Sequence, residues 1–147
     1  MRIQLALLAL LSASGALQAA GTERPDLVRH NIDAWEQDIG YSGVVQDGDL
    51  LYLSGVACEG ADMEAAVADC YRRLTAILQR FGADSSQVVR ETIYTTDLDA
   101  LIRAIPGRKR FFPDARYPAA TWVEVRRLYQ PGHLLEVEWT VRLRQPR

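Results

Sequence analysis

The chain has few of the features that mark a chemistry from sequence alone. It holds two histidines, His30 and His133, and neither has a partner at metal-ligand spacing, so no metal site is expected. There is no glycine-rich phosphate loop, no Gly-x-Ser-x-Gly elbow and no dinucleotide fingerprint, which removes the common nucleotide-dependent and serine-hydrolase classes and leaves no cofactor to expect. Charge of one sign is also missing. Seventeen Lys and Arg stand against nineteen Asp and Glu, a net charge of −2, which argues against nucleic acid as a partner. No internal repeat or low-complexity tract occurs, and no apolar run after the first 20 residues is long enough to cross a membrane.

The first residues read as a targeting segment. Arg2 is the only charge before Glu23, Leu5 to Leu11 is unbroken apolar sequence, and Ala16-Leu17-Gln18-Ala19-Ala20 supplies small residues for cleavage after Ala19 or Ala20. Residues 1–20 are therefore expected to be a signal peptide, 21–38 an N-terminal extension with residues 21–28 loose, and 39–144 one folded domain. Cleavage after Ala20 leaves 147 − 20 = 127 residues and moves the net charge from −2 to −3, since only Arg2 is lost. The expected location is periplasmic or secreted. A chain of this size folds without metal or disulfide. Its two cysteines, Cys58 and Cys70, raise the question of a bridge. Cys70 lies about 12 Å along a helix from its start near Asp62. On that spacing Cys70 is expected in the core and Cys58 as a free thiol.

Hydrophobic patterning gives the element order strand, strand, helix, strand, helix, strand, strand. Ser42 to Gln46 and Leu50 to Ser54 flank Asp47-Gly48-Asp49, a hairpin signal, with Gly55 ending the second strand. Met63, Val67, Cys70, Leu74, Ile77, Leu78 and Phe81 recur at spacings of three and four, which predicts an amphipathic helix between an Asp62 cap and a Gly82 stop. Val88 to Thr96 reads as a strand. A second helix from Asp97 or Asp99 should carry Leu98, Leu101, Ile102 and Ile105 inward until Pro106-Gly107 breaks it. Thr121 to Val125 and Leu134 to Leu143 are the last strands, turned by Pro131-Gly132, with His133 exposed in that turn. Two helices then cover one face of a mixed sheet. The other face keeps apolar side chains, and a bare face of that kind favours oligomerisation.

Five pieces of the chain occur in the order and spacing of the Rid/YjgF family, the small enamine/imine deaminases. They are Gly40-Tyr41-Ser42, Gly48-Asp49-Leu50-Leu51-Tyr52-Leu53-Ser54-Gly55, Thr95-Thr96-Asp97-Leu98, Phe111-Phe112, and Tyr117-Pro118-Ala119-Ala120-Thr121-Trp122-Val123-Glu124-Val125 followed by Leu134-Leu135-Glu136-Val137-Glu138. The resemblance covers about Ile39 to Leu143. It implies an α+β, chorismate-mutase-like fold, a mixed sheet with two helices on one face, assembled as a homotrimer with a small-molecule ligand in each inter-subunit cleft. It also implies roles by position. Glu136 matches the glutamate that positions or activates the attacking water. Tyr41, Ser54 and Gly55 match the cleft wall, and Thr121 the substrate-binding run.

Two anchors of the deaminating members are missing. Their carboxylate-gripping arginine falls on Ala120, and their asparagine of the second helix on Ile105. A bidentate arginine clamp contributes roughly 1.5–3 kcal/mol, so its loss disfavours small amino-acid imines by about tenfold or more. Arg116, four residues upstream, is the nearest candidate to replace it. The run Pro-Ala-Ala-Thr itself resembles a separate Rid subgroup. Two readings stay open: a hydrolase acting on an imine, enamine or related small molecule other than 2-iminopropanoate, and a ligand-binding or structural trimer without the chemistry.

Overall fold

A computed structural model of the chain describes residues 26–144. The expected signal peptide and its cleavage site lie outside the described residues. The elements in chain order are β1 (Leu27–His30), α1 (Trp35–Asp38), β2 (Val44–Asp47), β3 (Leu50–Cys58), α2 (Met63–Arg80), β4 (Val88–Thr95), α3 (Leu98–Arg103), α4 (Ile105–Lys109), β5 (Ala119–Glu124) and β6 (Leu135–Arg142). The strands form one sheet in the order β1-β2-β3-β6-β4-β5, antiparallel except for the parallel β4–β5 pair.

Helix α2 begins where Asp62 accepts a hydrogen bond from the Ala65 amide at 2.8 Å. It ends at Gly82, φ +65°, with the Gly82 and Ala83 amides donating to the Gln79 and Leu78 carbonyls, a left-handed stop that a glycine accommodates without Cβ strain. The buried stripe Met63, Val67, Cys70, Leu74 and Leu78 packs onto Leu51, Leu53, Ile93, Leu135, Val137, Trp139 and Val141 of the sheet. Each fully buried side chain of this kind contributes about 1.5–3 kcal/mol of transfer free energy. Gly48, φ +61°, opens the two-residue loop joining β2 to β3. Among the described residues no helix is long and apolar enough to cross a membrane.

Several expectations need correction. Leu27–His30 is a strand, paired with β2 at the sheet edge, so Leu27 and Val28 are ordered where residues 21–28 were expected to be loose. Gly55 does not end β3. The pairing with β6 shifts between Leu53 and Val56, so Ser54 and Gly55 together oppose one residue in a bulge and the strand runs on to Cys58. The second helix splits at Ala104 into α3 and α4; the inward stripe runs through Leu101, Ala104 and Arg108, which leaves Ile102 beside it and 50% exposed.

Cys58 and Cys70 form a disulfide, with Cα atoms 5.1 Å apart. The expectation of a free Cys58 measured the distance from the helix start, whereas the chain after Cys58 runs back along the helix flank before it turns at Asp62. Gly60 packs so closely on the backbone of Ala65 and Ala66 that a Cβ there would lie 2.8 Å from the Ala65 carbonyl carbon, and the Glu59 amide donates to Asp69 at 3.2 Å. Cys58 therefore sits beside the third turn of α2.

The core also holds a buried ion pair. Arg108 reaches Glu91 through Nε at 2.8 Å and through its terminal nitrogen at 2.6 Å. Glu91 accepts further bonds from the Tyr71 hydroxyl at 2.7 Å and the Trp139 indole at 3.1 Å. The guanidinium lies 4.9 Å from the Phe112 ring centroid and 5.2 Å from that of Trp122. Burial pushes the Tyr71 phenol well above its ordinary value, with the Glu91 charge acting in the same direction.

Candidate functional site

Strand alternation sorts β6 cleanly. Leu135, Val137, Trp139 and Val141 are buried under the helices, while Glu136 and Glu138 stand half-buried on the open face. The bulge in β3 lies next to Glu136. A Cβ built on Gly55 would be 2.8 Å from the Glu136 carboxyl carbon, and nearer still to Oε1. Gly55 is thus the gap into which the carboxylate fits.

This point forms one wall of a cleft of about 430 Å³, between the bulge, the α1 segment and the turn before β6. That size suits a small organic ligand. The Tyr41 hydroxyl donates to the Gly55 carbonyl at 3.0 Å. The Ser54 hydroxyl donates to the Ser42 carbonyl at 2.8 Å and the Ser54 amide to the Gly43 carbonyl at 3.0 Å, so the bulge and the Tyr41–Gly43 segment brace one another.

Two carboxylates of this cleft differ in kind. Glu36, buried, accepts from the amides of Ile32 at 3.0 Å, Asp33 at 3.2 Å and Gly43 at 2.9 Å, and from the Asn31 side chain at 3.2 Å. Its charge is consumed in tying the α1 loop to β2. A side chain at position 43 would meet that carboxylate 2.5 Å away at Oε1 and the Ile32 side chain at 2.6 Å, which is why a glycine stands there. Glu136 has no hydrogen-bond donor among the described residues. Burial raises its pKa above the usual carboxylate value, the neighbouring Glu138 adds to the rise, and His133 opposes it. Burial likewise raises the Tyr41 phenol, opposed by the Ser54 hydrogen bond and reinforced by Glu136.

His133 is half-buried in the cleft wall rather than exposed, and its Nδ1 is buried without a partner. The turn at Gly132, φ +89°, folds it back onto β6 beside Glu136, which a reading of the turn as surface loop missed.

Of the residues singled out from sequence, one chain brings Tyr41, Ser54, Gly55 and Glu136 together. The others stand elsewhere. Ala120 and Thr121 are exposed on the edge strand β5, separated from β6 by β4. Ala120 is in register with Glu91 and Thr121 with Thr92. Ile105 opens α4 in the helix layer. Arg116 is exposed, 4.0 Å from Asp114. Several cleft residues were not anticipated, among them Trp35, Glu36, Glu59, Arg73 and Tyr129. Trp35 and Glu36 lie on a helix of four residues, too short to show a periodicity. Glu91 and Arg108 carried one signal, a charged residue on the strand side shared with Ile93, which calls for a buried partner.

A single mixed sheet with helices packed on one face and a carboxylate-bearing cleft at a β-bulge describes a small α+β fold. The Endoribonuclease L-PSP family profile matches residues 28–143, and the chain belongs to this family, also called YjgF/Rid. A solved member of the YjgF/YER057c/UK114 family from Mycobacterium tuberculosis is 30% identical, covers 80% of this chain and 99% of its own, and superposes with a TM-score of 0.72. A YjgF-family protein from Neisseria meningitidis is 24% identical over 82% of this chain and 98% of its own, TM-score 0.73. A Rid-family protein of unknown function from Yersinia pestis is 23% identical over 70% and 87%, TM-score 0.66. No curated protein sequence matches the chain.

Proposed function

We propose that this chain is an exported, homotrimeric Rid-family hydrolase that splits an imine or enamine other than 2-iminopropanoate, with Glu136 as general base. One observation carries the reading: the Glu136 carboxylate is half-buried in a ligand-sized cleft, without a hydrogen-bond donor, and its pKa is raised by burial and by Glu138. A base poised nearer neutrality than an ordinary carboxylate is what proton abstraction from water requires.

Water adds through oxygen to the imine carbon and gives a proton to Glu136, while the C=N π pair moves to nitrogen. Glu136 returns the proton to nitrogen. Glu136 then takes the hydroxyl proton and passes it to nitrogen, so that the C–N bond breaks with its electron pair leaving on nitrogen, the oxygen closes to a carbonyl, and ammonia or an amine is released. Tyr41 and Ser54 hold the bulge that places Glu136. Ala120 and Ile105, in place of arginine and asparagine, support a substrate without an amino-acid carboxylate. The open face of the sheet, with Tyr52 and Val123 exposed, supports assembly through that face. The Cys58–Cys70 bridge supports an oxidising compartment, periplasmic or secreted. The endoribonuclease label of the family finds no support in a net charge of −2.

The test is hydrolysis of a panel of neutral, cationic and carboxylate-bearing imines by the purified protein and by Glu136→Gln. Turnover of a non-carboxylate imine that the variant loses supports the proposal. Hydrolysis at the uncatalysed rate across the panel leaves the cleft as a ligand-binding site without chemistry.

A further inference from the structure

We infer that the cleft takes a cationic ligand with an aromatic or cyclic hydrocarbon body, a protonated imine or iminium in the hydrolase reading above, on which this rests. The free charge of the cleft is negative. Glu136, Glu59 and Asp33 border it, and no donor among the described residues bonds to any of the three carboxylates. Glu36 is neutralised locally by its four N–H donors. The one arginine of the lining, Arg73, is already engaged, donating to the Ala57 carbonyl at 2.7 Å and standing 3.8 Å from Asp69. Within one chain, an anionic ligand would thus meet three carboxylates without a donor and, among the described residues of the lining, no basic side chain left unengaged besides the His133 ring.

The walls supply the second half of the recognition. Trp35 is 48% exposed and lies tilted on Tyr41 with ring centroids 5.4 Å apart; Tyr129, 73% exposed, stands at the same cleft. Large aromatic faces left open beside unpaired carboxylates are the two components that bind organic cations: ring quadrupole and counter-charge. Ile32, Ile39 and Ile77 add apolar surface for the ligand's body. A cationic C=N group held against Glu136 is also the form most open to attack by water, so the same charge would select and activate it.

The experiment titrates the purified protein with benzyltrimethylammonium and with phenylacetate, probes of similar size and opposite charge, following the Trp35 indole and Gly55 amide by NMR. The cation is expected to bind about tenfold or more tightly than the anion, and to lose about fivefold in both Glu136→Gln and Trp35→Ala. Equal or tighter binding of phenylacetate, or cation affinity unchanged in both variants, overturns the inference. The hydrolase reading fails separately. Cation binding without turnover of any imine sinks the hydrolase and keeps the charge preference, whereas Glu136-dependent turnover of a neutral imine alongside tighter binding of phenylacetate keeps the hydrolase and overturns the charge preference.

Discussion

The Glu136 carboxylate occupies the space that a side chain at Gly55 would fill. The two residues sit on neighbouring strands, β6 and β3, and the bulge at Ser54-Gly55 makes them neighbours across the sheet. Gly55→Ala should therefore act on the cleft rather than on the fold. Gly55 does not have a positive φ, and the atoms a methyl group would meet are the movable end of Glu136. Stability is expected to change by less than about 1 kcal/mol in a urea titration, while a crystal structure of the variant shows Glu136 rotated away and ligand binding is lost. Retention of the wild-type Glu136 position would contradict this.

Glu136 also makes stability depend on pH in a defined direction. Its pKa is raised in the folded chain, above the ordinary 4.5. A raised acid contributes its full stability below the unfolded value and loses it as pH rises through the folded value. Glu136→Gln removes that loss. Thermal melts should show the variant gaining on the wild type between pH 4 and pH 7.5; a gap that stays constant with pH would count against the raised pKa.

The Glu91–Arg108 pair should behave as a buried ion pair whose loss is asymmetric. Arg108→Met leaves Glu91 charged in the core and is expected to cost about 3–5 kcal/mol. Adding Glu91→Leu should recover much of that, because neither charge is then stranded. Equilibrium unfolding of the two single variants and the double variant gives the coupling.

The disulfide closes a loop of 12 residues in sequence separation. Loop-closure entropy assigns such a bridge about 3 kcal/mol. Cys58→Ser with Cys70→Ser should lose about that much in urea, and reducing agent should lower the wild type to the same level while leaving the double variant unmoved.

Where the chain announced its structure, a local rule was enough. The stripe of α2, the Asp62 cap, the Gly82 stop and the Gly48 turn are each set by residues within a few positions. The alternation along Leu135 to Val141 is likewise a local rule, and it puts Glu136 and Glu138 on one face. What escaped depended on distant contacts. The Cys58–Cys70 bridge required knowing that Glu59 and Gly60 run back along the helix. The Gly55 bulge required the register of β6. Glu36 gains its role from amides as far away as Gly43, on a helix too short for a pattern. The cleft residues Tyr41, Ser54, Gly55 and Glu136 were readable through family likeness alone, since no spacing within the chain brings position 41 to position 136.

The pH dependence of kcat/KM for a hydrolysed imine, in wild type and Glu136→Gln, tests the central claim most directly. With Glu136 as base, the wild-type rate should fall toward acid through an apparent pKa above the ordinary carboxylate value of 4.5, and the variant should lose about 10²–10⁴-fold with that limb absent. A variant that keeps the wild-type rate, or the same acid limb, would contradict it.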